Sequence, residues 1–434
     1  MQYYSLNKKA PNVSFKDAVI NGLAPDKGLY FPETIEPLSQ EFFKNIEKLS
    51  NHEIAYEVIK QFVGSVIPEK ELRNIIEESL SFGFPVVKIE NSISTLELFH
   101  GPTMAFKDVG ARFMARCFGY FNKQNVSSKV TVLVATSGDT GGAVASGFLG
   151  VKGVDVVILY PKGKVSEVQE KQLTTLGQNI SALEVNGTFD DCQTMVKKAF
   201  LDLELTSKMN LTSANSINIA RWLPQMFYFF FAYKQLRNKQ KDLVFSVPSG
   251  NFGNICAGFM AQKLGLPIKQ LIASTNMNDI VPNYLKTGIY SPKPSVQTIS
   301  NAMDVGDPSN FVRILEIFKN NDDELKKQLS SFSFSDNQTR ETIKNIKNNS
   351  GYIVDPHGAV GYLGLKKYLE TESSVEGVFL ETAHPVKFLD VVEKEINQSI
   401  EIPQQIMAVI HKEKKAKSIL NYDEFKETLL KQNI

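Results

Sequence analysis

Apolar and polar positions run through this chain in two rhythms. Up to about Glu90 apolar residues recur with a helical period, over 15–23 and again over 53–66. Ile67-Pro68-Glu69-Lys70 reads as a helix start with proline near the first turn. Ser81-Phe82-Gly83-Phe84-Pro85 breaks that pattern and marks a domain boundary. The helical period returns at Phe106, Val109, Phe113, Met114, Cys117, Phe118 and Phe121, the signature of a helix with one buried face. From Lys129 the rhythm changes. Short β-branched runs at 130–135, 154–159, 180–185, 243–247, 268–273 and 375–380 suit strands buried on both faces. Helical patterns at 143–149, 166–176, 190–203 and 255–264 lie between them. Alternating strands and helices predict an α/β fold with parallel sheets and right-handed crossovers. Three parts are expected: a mostly helical segment over 1–90, a smaller α/β domain over 91–215 and a larger one over 216–434.

Three stretches are less regular. A long helix is expected over 217–236, kinked or truly started at Pro224. Its apolar run from Met226 to Tyr233 reads as a buried helix or a subunit contact. The polar stretch 320–349 reads as a solvated helix pair, and the basic run 412–417 as a solvated helical face.

Bulk properties narrow the function classes. A chain of 434 residues, 42% hydrophobic and 22% charged, has the composition of a soluble globular protein with two or three cores. A net charge of +1 and the lack of a basic stripe with interleaved aromatics argue against nucleic acid or an anionic membrane as partner. Cys117, Cys192 and Cys256 are sparse and odd in number, so neither a disulfide framework nor a zinc site is expected, and no metal. The first residues lack the apolar core of a signal peptide. The most apolar run is far below the ~18 residues of a membrane span. The cytoplasm is the expected compartment.

Candidate chemistry gathers around the stretch from Leu98 to Asp108, where glycine and proline give way to a helix at Lys107. A helix N-terminus carries partial positive charge, which disfavours a second cation. An ammonium held there among apolar neighbours should have a lowered pKa and more of the neutral amine that a carbonyl cofactor requires. A surface lysine at a helix start is the plainer alternative. Two glycine-rich loops, 136–142 and 248–254, each follow a strand and open a helix. Backbone amides at such junctions bind anions. Neither loop is a P-loop or has the spacing of a dinucleotide fingerprint. Together they suggest two anionic groups held over one sheet crevice.

Leu98-Phe99-His100-Gly101-Pro102-Thr103-Met104-Ala105-Phe106-Lys107-Asp108 resembles the cofactor-lysine segment of the threonine synthase family. The resemblance runs nearly end to end. It takes in Lys27-Gly28-Leu29-Tyr30-Phe31-Pro32, the 136–142 loop, Ser213-Ala214-Asn215-Ser216-Ile217-Asn218, Ser249-Gly250-Asn251-Phe252-Gly253, Ser300-Asn301-Ala302-Met303-Asp304 and Glu381-Thr382-Ala383-His384-Pro385. It implies a fold type II, tryptophan synthase β-like architecture: two open, mostly parallel three-layer α/β domains with a small helical N-terminal segment. It also implies pyridoxal 5′-phosphate as cofactor. Lys107 then stands as the Schiff-base lysine, and Gly250, Asn251, Phe252, Gly253 and Asn254 as the loop holding the cofactor phosphate. Thr382 faces the pyridine nitrogen, where a neutral hydroxyl need not keep the ring protonated.

The implied substrate is O-phospho-L-homoserine, which reacts with water by γ-elimination of phosphate and β-addition to give L-threonine, the last step of threonine biosynthesis. Asn215, Ser216 and Arg221 match the region that meets the substrate phosphate. Thr136, Ser137, Thr140 and Gly141 are expected around its carboxylate. Asp139 stands where many fold type II enzymes have an asparagine contacting the cofactor's phenolic oxygen, and no such contact is assigned to it. His100 and His384 invite an acid/base role, but a histidine near a loop is more often structural. The alternative activity is another fold type II lyase, a serine/threonine dehydratase or an O-phosphohomoserine phospholyase. A monomer or a homodimer is expected.

Overall fold

The computed structural model describes residues 1–124, 129–237 and 241–431. Its strands fall where the β-branched runs lie, with several more that the pattern conceals. Near the N-terminus β1 (Gln2–Ser5), β2 (Val13–Ser14) and β3 (Tyr30–Pro32) form a small antiparallel sheet in the order β2-β1-β3. The first segment is therefore not helical alone. Its helices Phe15–Asn21, Asn51–Val63 and Glu69–Ser79 each turn their apolar residues inward, as their period requires.

The remaining strands are β4 (Val86–Glu90), β5 (Ile93–Glu97), β6 (Val130–Ala135), β7 (Val154–Pro161), β8 (Ile180–Val185) and β9 (Asn210–Ser213), followed by β10 (Leu243–Pro248), β11 (Ile268–Thr275), β12 (Leu329–Ser333), β13 (Glu376–Glu381) and β14 (Lys417–Ile419). They make a six-stranded sheet, β12-β11-β10-β13-β5-β4, and a five-stranded sheet, β14-β8-β7-β6-β9. The pairs in these two sheets are parallel except β4 with β5. Strands β6, β10 and β13 are buried at every position, which suits the unbroken apolar and β-branched run of β6 and the mainly apolar centres of the other two.

The sheets do not follow the expected boundaries at 90 and 215. Strands β4 and β5 join the larger sheet before the smaller one begins, and β14 returns to the smaller sheet at the end of the chain.

Two expectations need correction. The stretch 320–349 is not a helix pair: β12 lies between the helices Asp322–Gln328 and Asp336–Ser350. It lies along the edge of β11 and is mostly serine, so it has no strong apolar alternation to read. The basic run 412–417 is not a helical face either, since Lys417 already begins β14. Its charge has local partners: Lys414 bonds Glu170 at 2.7 Å and Glu184 at 2.5 Å.

The aromatic run is a buried helix. Pro224 interrupts it, giving Ile219–Trp222, a 3₁₀ turn Leu223–Gln225 and then Met226–Leu236. Phe227, Phe229, Phe230 and Phe231 have no exposed surface within the single chain. The helices after the two glycine loops start earlier than their apolar pattern, at Asp139 and Gly253. The first turn of each is therefore part of the loop that precedes it. Among the described residues, no helix is long and apolar enough to cross a membrane.

Candidate functional site

Lys107 is placed by main-chain pairing. Ala105 bridges Ala383 in antiparallel fashion. The Phe106 N–H donates to the Thr382 carbonyl at 2.8 Å, and the His384 N–H to the Met104 carbonyl at 3.0 Å. The lysine segment is thus fastened to the chain just past the carboxyl end of β13. Upstream, the Thr103 hydroxyl and N–H donate to the two oxygens of Asp108 at 2.5 and 2.9 Å and fold the loop over the helix start. The helix Lys107–Gln124 then packs closely on its neighbours. A Cβ on Gly110 would lie 2.5 Å from the Arg221 carbonyl, so only glycine lets the two backbones approach.

These elements enclose one cleft of about 830 Å³, open solvent at its mouth included. Its wall carries Lys107, Thr136, Ser137, Asp139, Thr140, Asn215, Ser216, Arg221, the whole turn from Gly250 to Asn254, and Thr382. Every residue expected at the site therefore reaches one cavity, with one exception. Gly141 does not line it. Its N–H donates to the Thr136 hydroxyl oxygen at 2.9 Å, as the Gly138 N–H does, so it shapes the turn from behind.

The 250–254 turn is built for an anion. It leaves β10 and opens the helix Gly253–Lys263, whose first N–H groups have no intrahelical acceptor. Phe252 takes the left-handed conformation at φ 59°, an uncommon backbone for a bulky residue. A Cβ on Gly250 would sit 2.7 Å from Met303 Cα and 2.9 Å from the Ala302 carbonyl oxygen, so no side chain fits. Asn310 clamps the turn from outside. Its N–H and side-chain amide both donate to the Asn251 carbonyl, at 3.2 and 3.1 Å, and the amide also reaches the Ser216 hydroxyl at 3.1 Å. Buried Arg313 in turn donates to Asn310 Oδ1 at 2.7 Å and to the Ser216 and Ile217 carbonyls at 3.2 and 2.7 Å. The 250–254 turn and the Ser216–Ile217 segment are fixed relative to each other by this pair.

Electrostatics mark the reactive side. Burial lowers the Lys107 pKa to about 8, aided by Arg221 and Lys387 and opposed by Asp139. The expected shift is present, and its main cause is loss of solvent. Arg221, which is buried, is lowered to about 10 by loss of solvent. One of its nitrogens donates to the Ala214 carbonyl at 2.5 Å, while its Nε has no partner. A desolvated guanidinium with a spare donor, beside a glycine turn of free amides, suits a phosphorylated ligand. The donor set, the amine with lowered pKa and the Gly250 turn fit a pyridoxal 5′-phosphate molecule with its aldehyde at Lys107 and its phosphate on the turn.

Neither of the two suspect histidines is in the cleft. His100 Nε2 pairs with Glu97 at 2.7 Å. His384 Nδ1 accepts the Val386 N–H at 3.1 Å, and burial pushes its pKa down to about 4. The histidine that does line the cleft is His357, which sequence reasoning passed over. Its Nδ1 bonds Asp355 at 2.6 Å and its Nε2 accepts the Ala302 N–H at 3.2 Å. Asp355-Pro356-His357 is a legible helix start, with Asp355 as N-cap and proline at the first turn, and could have been noted as a third loop-to-helix junction. Arg313 gave no such signal. In the helix Phe311–Ile317 it reads as a surface arginine. Lys387 was also missed. It is fully buried and bonds Asp139 at 2.7 Å.

Comparison with known proteins agrees along the whole chain. The family described as "Threonine synthase N terminus" matches residues 2–80, "Pyridoxal-phosphate dependent enzyme" residues 93–380, and "Threonine synthase, C-terminal" residues 358–428. A threonine synthase of Buchnera aphidicola subsp. Acyrthosiphon pisum is 46% identical over 408 residues, covering 94% of either chain. The crystal structure of threonine synthase from Escherichia coli superposes with a TM-score of 0.93 at 40% identity, covering 100% of both chains. A pyridoxal-phosphate-bound threonine synthase from Brucella melitensis gives a TM-score of 0.92 at 34% identity, covering 100% of this chain and 99% of that one.

Proposed function

The chain belongs to the threonine synthase family of pyridoxal-phosphate-dependent enzymes, and from that premise we propose that the cleft around Lys107 converts O-phospho-L-homoserine and water to L-threonine and phosphate. The observation that supports this reading most is the meeting of three groups in one cavity. They are a half-buried lysine with lowered pKa, a glycine turn at a helix N-terminus and a desolvated arginine with an unused donor.

Lys107 and the Gly250–Asn254 amides would hold the cofactor, with the Thr382 hydroxyl toward its ring nitrogen. When bound, pyridoxal phosphate supplies an electron sink for carbanions next to the substrate nitrogen. The chain's own groups do the rest. Arg221, with Asn215 and Ser216, binds the substrate phosphate and holds it until it leaves. Thr136, Ser137 and Thr140 hold the carboxylate and so orient the α C–H bond. The Lys107 amine, free of its proton for much of the time near pH 8, takes the α proton and then one from Cβ. It can return a proton to Cγ after phosphate has gone. One well-placed donor contributes roughly 3–4 kcal/mol, whereas enzymes lower barriers by about 8–23 kcal/mol. Anion binding alone is therefore too weak, and positioning of the amine must add to it.

The test supplies O-phospho-L-homoserine to the purified, cofactor-loaded chain and follows phosphate and amino acid together. Equal amounts of phosphate and threonine are expected. Phosphate with a 2-oxo acid in place of threonine would assign the chain to a phospholyase. Turnover of serine or threonine with no action on the phosphorylated substrate would assign it to a dehydratase.

A further inference from the structure

Two charged side chains meet in the cleft wall where a single neutral group would cost less to bury. Asp139 opens the helix Asp139–Phe148, lines the cavity and is 3% exposed. Lys387, from the 3₁₀ turn Pro385–Phe388, has no exposed surface. Their atoms are 2.7 Å apart. Lys387 also donates to the Thr103 carbonyl at 3.0 Å, in the segment that leads to Lys107. Gln169 donates to Asp139 at 3.0 Å and Gln172 to the Thr103 carbonyl at 3.0 Å, both from the helix Glu167–Thr174. Four separate stretches of chain thus converge on one ion pair behind the reactive amine.

We infer that Lys387 is a positioning residue of the active site: it fixes Asp139 in the wall of the cleft and cancels its charge, so that Lys107 works beside a neutral pair. The inference rests on the reading of Lys107 as the cofactor lysine. Without Lys387, Asp139 would be a bare carboxylate in a buried wall, and it would hold a proton on Lys107. Without Asp139, Lys387 would be a buried cation that drives that proton off. The remaining charged or titratable groups that face the pair are Lys107 and Asp108 at the start of one helix, His357 from Pro356–Leu369, and His384, the N-cap of the turn that carries Lys387; Arg221 from Ile219–Trp222 acts on Lys107. Asp108 already has two Thr103 donors, and Arg221 lies on the substrate side. Burial acts to raise the Asp139 pKa, but Lys387 and Lys107 outweigh it and hold the carboxyl below its usual range. The carboxylate therefore stays ionised, and its charge must be met by a cation. Breaking one side of such a buried pair leaves an unmet charge, whereas neutralising both sides need not.

The test is a pH titration of the visible absorption of the cofactor-loaded full chain, with thermal melting as a second measurement. Lys387→Met should move the absorption midpoint up by about one pH unit or more, and Asp139→Asn should move it down. The double variant D139N/K387M should return close to the parent and melt above either single variant. If Lys387→Met fails to fold, the descent in Asp139→Asn and its reversal in the double variant carry the same information. Midpoints that stay at the parent value while melting falls would show a merely structural pair and overturn the inference. So would a double variant displaced as far as a single one. Lys107→Ala is the control: an absorption band that still titrates there overturns the inference together with the reading beneath it, whereas a lost band with unmoved midpoints overturns the inference alone.

Discussion

The two glycine loops of the cleft begin alike and are held in opposite ways. Each leaves a fully buried parallel strand, β6 or β10, and opens a helix within a few residues. The 249–254 loop is neutral and fixed by amides. Asn254 donates to the Pro248 carbonyl at 2.8 Å, Ser309 N–H to Asn251 Oδ1 at 2.9 Å, and Asn310 binds from the side. The 136–142 loop places a carboxylate at its helix start and is fixed by a buried lysine from a distant part of the chain. An anion can approach the first loop unopposed. At the second, the same approach is possible only because the carboxylate is already paired. Two loops that look equivalent in sequence are thus a bare anion cradle and a compensated one.

The largest expected effect concerns the group both loops face. Lys107→Ala should lower turnover by roughly 10⁴-fold or more, since it removes the amine that moves the protons. The visible absorption of the cofactor-loaded chain should disappear with it. A variant that keeps either property would place the chemistry on another residue, and the two loops would then no longer share a centre.

Arg221→Met comes next. Loss of one well-placed donor to a buried anion typically costs about 10²–10³-fold. The drop should appear in kcat/KM for O-phospho-L-homoserine, with cofactor affinity nearly unchanged, because the proposed site for the cofactor phosphate is the other loop. Arg221→Lys should recover little, since an ammonium lacks the fork of donors. If cofactor affinity falls as far as kcat/KM, the division of anions between the loops is wrong.

Glycine substitutions test the loops directly. A Cβ on Gly250 meets backbone atoms of Met303 and Ala302 at 2.7 and 2.9 Å. A Cβ on Gly141 meets side-chain atoms, Thr136 Cγ2 at 2.6 Å and Ile158 Cγ2 at 3.2 Å. Side chains can shift more easily than backbone. Gly250→Ala should therefore cost more of the ~1–3 kcal/mol that overpacking brings, read as weaker cofactor binding in an equilibrium titration. Gly141→Ala should mainly lower the melting temperature. Equal loss of cofactor affinity in both would mean that the loops are not held differently.

This contrast also explains what the sequence could tell. The place of the neutral loop in the cleft was legible because its geometry lies in adjacent residues: strand, glycine, helix start. Thr382 and Lys107 were legible for the same reason, each within a short motif. The clamps were not. Asn310, Arg313 and Lys387 act across long sequence separations, and each looks locally like a surface polar residue. Burial of a polar side chain is a property of the folded whole, so local patterning cannot disclose it. The edge strand β12 escaped notice on similar grounds, because its pairing with β11, and not its composition, makes it a strand.

The smallest expected effect is at His384, and its smallness is informative. His384 lies three residues before Lys387 and would be the natural guess for a proton carrier. Yet its Nδ1 is occupied by the Val386 N–H at 3.1 Å, and its ring meets Phe99 edge to face at 5.1 Å. Burial, the largest influence on it, holds its pKa near 4 and so keeps the ring neutral through the working range. His384→Asn retains an acceptor for the Val386 N–H. It should therefore leave kcat/KM within about threefold and the pH profile between 5 and 9 unshifted, as a change outside the binding machinery does. A lost or displaced limb of that profile would put His384 in the proton path, and the segment 382–387 would then act on the chemistry through two side chains besides Thr382. An unshifted profile leaves Lys387 as the residue of this turn through which charge reaches the cleft. The same turn would then hold a silent histidine and a lysine that governs its neighbour's proton, told apart only by what each one touches.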